Sequence, residues 1–184
     1  MRIGIDMDDT TCSTTKKVIE LEQDFSVGNK VSTVEDLWDA KRIRSVLSKI
    51  YKEVELKEGA QEAFRYLKYQ YGDEVNEIFI ISARCSDLVD DCEELTEDYC
   101  MRNNLCVDHV IVNASDKAYV CKKYNIDLMI DNSINNYSNI LNRDVDTTPI
   151  LFDEENHYPG IEDRITSWNE VSEKFKKDNN KKVL

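Results

Sequence analysis

Arg2-Ile3-Gly4-Ile5-Asp6-Met7-Asp8-Asp9-Thr10-Thr11 opens the 184-residue chain, and its reading decides the fold. Ile3 and Ile5 flank Gly4 in a short apolar run suited to a buried parallel strand. Three carboxylates and two threonines follow at once. In an open parallel sheet, ligands bind beyond the carboxyl ends of the strands, so Asp6 and Asp8 are expected at such an end. One intervening residue in an extended segment sends two side chains to opposite faces, so the chain must bend to bring both to one site. Two carboxylates held close repel unless a cation is present. A hard cation such as Mg²⁺ suits them, since it takes a few carboxylates, water and a substrate phosphate. Read alone, the stretch also fits a solvated acidic turn.

Working outward, strands and helices alternate. Ile78-Phe79-Ile80-Ile81 is a continuous apolar run of the sort buried on both sheet faces. Further strands are expected over 107–112, 128–130 and 149–152. Between them, helices are expected over 86–104, from Lys117 through Tyr124 with Ser115 as N-cap, and over 134–141. Ala63, Phe64, Leu67 and Tyr71 form a helical stripe closed by Gly72, and a last helix starts with Trp168. The alternation predicts an α/β fold: a Rossmann-like parallel sheet with helices on both faces.

The segment 12–56 carries helical spacing and no strand signal. Val18, Ile19, Leu21 and Phe25 suggest one helix, ended by Gly28-Asn29. Val34, Leu37 and Trp38 suggest a second, capped by Ser32 or Thr33. Ile43, Val46, Leu47, Ile50 and Tyr51 suggest a third. The expected organisation is a core of 1–11 and 57–184, with 12–56 as a small helical cap inserted after the first strand.

Composition narrows the function classes. A formal net charge of −13 gives no basic face for a polynucleotide and disfavours anionic membranes. No apolar stretch approaches the ~20 residues that cross a bilayer. There is no basic region followed by an apolar run at the N-terminus, so a cytoplasmic protein is expected. Six cysteines without a CxxC pair, and only two histidines, give no zinc-finger spacing and point to reduced thiols. His109 and His157 have no partner pattern, and Asp9 reads as a turn residue.

Four short signals fall at equivalent places: Asp6-Met7-Asp8-Asp9-Thr10 after the first strand, Ser82 after the second, Lys117 at a helix start, and Asp131-Asn132 after the fourth strand. Together they supply a nucleophile, an acid and base, a hydroxyl, a cation and a metal carboxylate, as phosphoryl transfer through an aspartyl-phosphate requires.

This ordered set resembles the haloacid dehalogenase (HAD) superfamily, whose motifs read DxDx(T/V), Ser or Thr after an apolar strand, Lys at a helix start, and an Asp-rich end to a later strand. The resemblance covers the whole chain. It implies Asp6 as nucleophile and Asp8 as general acid, then general base. It implies Ser82 and the Ala83 amide on the phosphoryl oxygens, with Thr10 and Arg84 as further phosphate or substrate contacts; for Arg84 a structural role at the helix start stands equally open. Lys117 would neutralise charge on Asp6 and the phosphoryl group. The Asp6 and Asp131 carboxylates and the Asp8 carbonyl would bind Mg²⁺. One departure stands out: the fourth motif often has two adjacent Asp residues, and here the second is Asn132.

Within the superfamily, the short helical cap, Ile-Ser-Ala-Arg, Asp-Lys, and Ser167-Trp168-Asn169-Glu170 resemble the 5'(3')-deoxyribonucleotidases. That resemblance implies a Mg²⁺-dependent phosphatase for nucleoside monophosphates, with Phe25, Trp38 and Tyr51 able to stack on a base or to form the cap's own core. Another small phosphate such as a sugar phosphate, or a binding module without turnover, stays open, as does monomer or homodimer.

Overall fold

The computed structural model describes the backbone of residues 1–25, 41–72 and 74–176, and their side chains except those of 22–25 and 41–46. The expected helix around Val34, Leu37 and Trp38, its cap, the Gly28-Asn29 helix end, the side chain of Phe25 and the lysine-rich tail beyond residue 176 lie outside what is described.

The strands are β1 (Arg2–Ile5), β2 (Glu77–Ile81), β3 (His109–Ile111), β4 (Leu128–Asp131), β5 (Thr148–Phe152) and β6 (Arg164–Ile165). They form one six-stranded sheet in the order β3-β2-β1-β4-β5-β6, and every pairing is parallel. The helices are α1 (Thr14–Phe25), α2 (Lys41–Glu53), α3 (Ala60–Tyr69), α4 (Cys92–Arg102), α5 (Lys117–Tyr124), α6 (Ile134–Asn142) and α7 (Val171–Lys174). The Rossmann-like α/β architecture is therefore present.

The central strands alternate their side chains between two apolar layers, because successive strand residues point to opposite faces. Ile78, Ile80, Leu128 and Ile130 join Phe64, Tyr99 and Trp168 on one face. Phe79, Ile81 and Met129 join Ala118, Cys121 and Ile140 on the other. Gly4 in β1 is set by this packing: a Cβ there would lie 2.7 Å from Met129 Sδ and 2.8 Å from Ile81 Cδ1. A third apolar cluster joins Val18 of α1 and Leu47, Ile50 and Tyr51 of α2 to Val89, Cys92 and Leu95. α2 is thus packed onto α4, and α1 onto α2.

Three expectations change. β6 is a sixth strand; its two residues lie in a polar stretch, Asp163-Arg164-Ile165-Thr166, too short for any periodic signal. The helix expected from Ser86 begins only at Cys92. Ser86 N–H donates to Asn113 Oδ1 and residues 85–92 make tight turns, leaving Leu88 exposed while Val89 is buried. The N-cap of α5 is Asp116, not Ser115: its carboxylate accepts the Tyr119 amide at 3.1 Å. A 3₁₀ turn, Trp168–Glu170, precedes α7.

Candidate functional site

The four signals meet at the carboxyl edge of the sheet. Asp6 directly follows β1, and its amide donates to Ile130 O at 2.9 Å. Ser82 directly follows β2, Asp131 ends β4, and Lys117 opens α5.

Hydrogen bonds hold the bend after β1. Thr11 and Cys12 amides donate to Met7 O at 2.9 and 3.1 Å, and Thr11 Oγ1 donates to Asp6 O at 2.7 Å. Asp9 has φ 60°, a left-handed conformation that Asp tolerates better than most residues. Its carboxylate accepts the Thr15 amide at 2.8 Å and the Thr15 hydroxyl, tying the turn to the start of α1. Asp9 is a turn residue, as expected. The turn thereby places Asp6 and Asp8 side by side, each with a different cation.

Lys117 Nζ donates to Asp6 Oδ1 and to Asp131 Oδ2, the latter at 2.6 Å. All three side chains are nearly or wholly buried. Two carboxylates and one ammonium leave one negative charge in excess. Burial, then the neighbouring Asp131 and Asp8 charges, push the Asp6 carboxyl up to about 7, with Lys117 acting against them. Burial works against the charged form of Lys117, but Asp6 and Asp131 outweigh it and hold the ammonium above its usual value.

Asp8 faces Arg84. Arg84 Nη2 donates to Asp8 Oδ1 at 2.9 Å, and Nε lies 3.2 and 3.1 Å from Oδ1 and Oδ2. Thr14 Oγ1 donates to Oδ1 at 2.6 Å, and Ser82 Oγ reaches Oδ2 at 3.3 Å. Burial alone would raise the Asp8 carboxyl. The Arg84 charge and hydrogen bonds, with Thr14, prevail and hold it below the usual carboxylate range.

Thr10 is fully buried between two site groups. Its hydroxyl lies 3.1 Å from both Asp6 Oδ2 and Asn132 Oδ1 and accepts the Asn132 amide at 3.0 Å. Thr10 therefore positions Asp6 and Asn132. Ser82 is buried, whereas Ala83 is exposed; among the described residues, nothing accepts a hydrogen bond from the Ala83 amide. That free N–H suits an incoming oxyanion. Arg84, expected as a phosphate contact, instead has a fully buried side chain committed to Asp8.

The oxygen donors also suit a hard cation. The Asp6 and Asp131 carboxylates share one lysine, and among the described residues no hydrogen bond reaches the Asp8 carbonyl. Two carboxylates and a carbonyl, completed by water and phosphate, are the donor set that Mg²⁺ accepts. The Asp8 carboxylate is committed to Arg84, so only its backbone would serve. Among the described residues, no cluster of three or more His, Cys, Asp or Glu side chains is assembled.

Several site residues were not foreseen. Asn136 Nδ2 donates to Asp131 Oδ2 at 3.0 Å. Trp168 Nε1 donates to Thr10 O at 2.8 Å, bracing the first motif from the far end of the chain. Thr14 reaches Asp8 from the first residue of α1. Helical periodicity marks none of these, since each is a polar contact made across the fold. Beside the site, a cavity of about 790 Å³ lies between α1 and the loop after β5, lined by Lys16, Lys57, Asn132, Phe152 and Tyr158 among others.

No protein-family model and no curated protein matches the sequence. The fold, by contrast, matches solved structures along nearly the whole chain. A HAD-superfamily hydrolase of subfamily IA from Geobacter sulfurreducens aligns with TM-score 0.61 and 10% identity, covering 95% of this chain and 96% of that one. A HAD hydrolase from Bacillus subtilis, bound to magnesium, aligns with TM-score 0.59 and 11% identity over 94% and 96% of the two chains. The L-2-haloacid dehalogenase of Xanthobacter autotrophicus, with chloropropionic acid covalently bound, aligns with TM-score 0.58 and 8% identity over 94% and 96%. The chain has the HAD-like fold. No helix among the described residues is long and apolar enough to cross a membrane.

Proposed function

We propose that the protein is a Mg²⁺-dependent phosphomonoester hydrolase working through an aspartyl-phosphate at Asp6, with nucleoside monophosphates as substrates. The observation that carries this reading is the pairing of two differently tuned carboxylates at one strand end: Asp6 against Lys117 and Asp131, and Asp8 against Arg84 and Ser82.

In the first half-reaction, an Asp6 carboxylate oxygen attacks phosphorus and the bond to the leaving oxygen breaks. Arg84 holds the Asp8 carboxyl charged in the free protein. The negative phosphate entering the site favours its protonated form. Having taken the proton that the phosphate brings, Asp8 gives it to the leaving oxygen. In the second half-reaction, Asp8 takes a proton from water as the water oxygen attacks phosphorus, and the bond to Asp6 breaks. Ser82 and the Ala83 amide hold phosphoryl oxygens, and Lys117 neutralises charge on Asp6 and the phosphoryl group. A bound Mg²⁺ would supply further charge stabilisation on the phosphoryl group. The excess negative charge at Asp6, Lys117 and Asp131, and the magnesium bound to the Bacillus neighbour, support that cofactor.

The neighbours suggest a second chemistry, displacement of halide from carbon. Halide leaves without a proton, whereas an alkoxide leaving from phosphorus gains from a general acid. Asp8 beside Asp6 therefore favours the phosphomonoester. The cavity of about 790 Å³ is large enough for a nucleoside monophosphate, and the exposed Tyr158 at its edge offers a face for a base. Residues 12–56 are proposed to act as a cap that excludes water from the site.

The test is phosphate release from ribo- and deoxyribonucleoside monophosphates and sugar phosphates, and halide release from 2-haloacids, each with Mg²⁺ and with Asp6→Asn beside it. Selective hydrolysis of nucleotides, absent from the variant, is expected. Release from sugar phosphates alone would discard the substrate, and halide release alone would discard the chemistry.

A further inference from the structure

We propose that Arg84 is a positioning residue that orients the Asp8 carboxylate, leaves Oδ2 as its working oxygen, and links it to α2 through Tyr51. The proposal rests on the phosphomonoesterase reading above.

Arg84 has no N–H group turned to a ligand, because its buried guanidinium is committed to Asp8 and Thr96. Every edge of the guanidinium is occupied. Nε and Nη2 face Asp8, and Nη1 donates to Thr96 Oγ1 at 3.1 Å. Thr96 is anchored in turn on Cys92 O at 2.6 Å. The flat face lies 4.0 Å from the ring centroid of Tyr51. A buried ion pair is a weak device for stability, since apolar side chains of similar volume often do as well. A planar guanidinium does what they cannot: it fixes the plane of a carboxylate.

The hydrogen bonds are shared unequally. Oδ1 accepts from Thr14 at 2.6 Å, from Nη2 at 2.9 Å and from Nε at 3.2 Å. Among the described residues, Oδ2 has only Nε at 3.1 Å and the long Ser82 contact at 3.3 Å. Ser82 is also the residue assigned to the phosphoryl oxygens. When its hydroxyl turns to the phosphoryl group, Oδ2 keeps one partner and can carry the proton to the leaving oxygen. Oδ1 stays pinned by α1 through Thr14, and Arg84 stays pinned by α2 through Tyr51. Both inserted helices therefore hold the acid in place.

The experiment compares two phosphomonoesters in the full-length protein with Mg²⁺. An alkyl phosphate needs a proton on its leaving oxygen, and 2,4-dinitrophenyl phosphate does not. The ratio kcat/KM reports steps only through release of the leaving group, so the later use of Asp8 as base does not enter. Arg84→Lys keeps the charge and loses the planar fork. It is expected to lower kcat/KM for the alkyl ester at least about tenfold more than for the dinitrophenyl ester, within the ~10²–10⁴ that a general acid supplies. Tyr51→Leu, which leaves Arg84 in place and removes the ring under it, should move the ratio in the same direction. Equal losses on both esters in both variants, or no loss, would overturn the proposal and leave the phosphatase reading intact. Failure of the unaltered protein to cleave either ester would overturn the two together.

Discussion

Lys117→Met tests the charge balance of the site most sharply. The substitution keeps an unbranched stem of similar length and removes the ammonium that Asp6 and Asp131 share. Two nearly buried carboxylates then face one another with no cation. Removing one member of a buried pair costs about 3–5 kcal/mol. At 184 residues, 1 kcal/mol shifts the melting temperature by roughly 2–4 °C, so a drop of about 6–20 °C is expected at pH 8 without divalent metal. The pH dependence has a definite sign. Asp6 is already pushed up to about 7 with Lys117 present, and losing the lysine pushes it further. The folded protein then holds a proton that the unfolded chain releases above about pH 4, so stability falls as pH rises from there. Thermal melting by circular dichroism at pH 5 and pH 8 should show the smaller loss at pH 5. Added Mg²⁺ should restore part of the loss at pH 8. A variant that melts with the parent at pH 8, or loses more at pH 5 than at pH 8, would refute the reasoning.

Three further outcomes follow from the same geometry. Asp6→Asn removes a carboxyl whose raised value makes the folded state bind a proton between about pH 4 and about 7; the metal-free variant should gain stability relative to the parent as pH rises through that window, measured by melting temperature. Asp8→Asn acts the other way. A depressed carboxyl contributes stability that is present above its unfolded value near 4 and is lost as pH falls through the lower folded value. The variant should therefore lose about 3–5 kcal/mol in denaturant titrations at neutral pH, with Arg84 left unpaired, and approach the parent only in strong acid. Tyr99 is buried, and its hydroxyl has no hydrogen-bond partner among the described residues; Tyr99→Phe should raise stability by about 1 kcal/mol, since an unmade buried hydrogen bond costs that order.

The parallel sheet was legible because each central strand is a short apolar run ending in a polar residue that the fold brings to one edge. Asp6, Ser82 and Asp131 are all of this kind, and Lys117 opens a helix at the same edge. β6 was not legible, since two residues of an Arg-Ile pair carry no period. The late start of α4 is a matter of competition: Asn113 takes the Ser86 amide, and the turns that follow replace helical hydrogen bonds. Thr10 and Arg84 read from sequence as contacts to a ligand. Their burial among site residues is a property of the tertiary fold, as are the reach of Thr14, Asn136 and Trp168 into the site. Substrate choice was the least legible part. The cavity proposed to take the substrate has walls, such as Lys16 and Tyr158, that lie far apart in sequence.

The central claim is that Asp6 becomes phosphorylated. The direct measurement is to quench the protein during turnover of a phosphomonoester with Mg²⁺, reduce with borohydride and map the product by mass spectrometry. An acyl phosphate at Asp6 is reduced to homoserine, so homoserine at position 6, dependent on substrate, is the predicted result. Phosphate release at full rate with Asp6 unmodified would contradict the account.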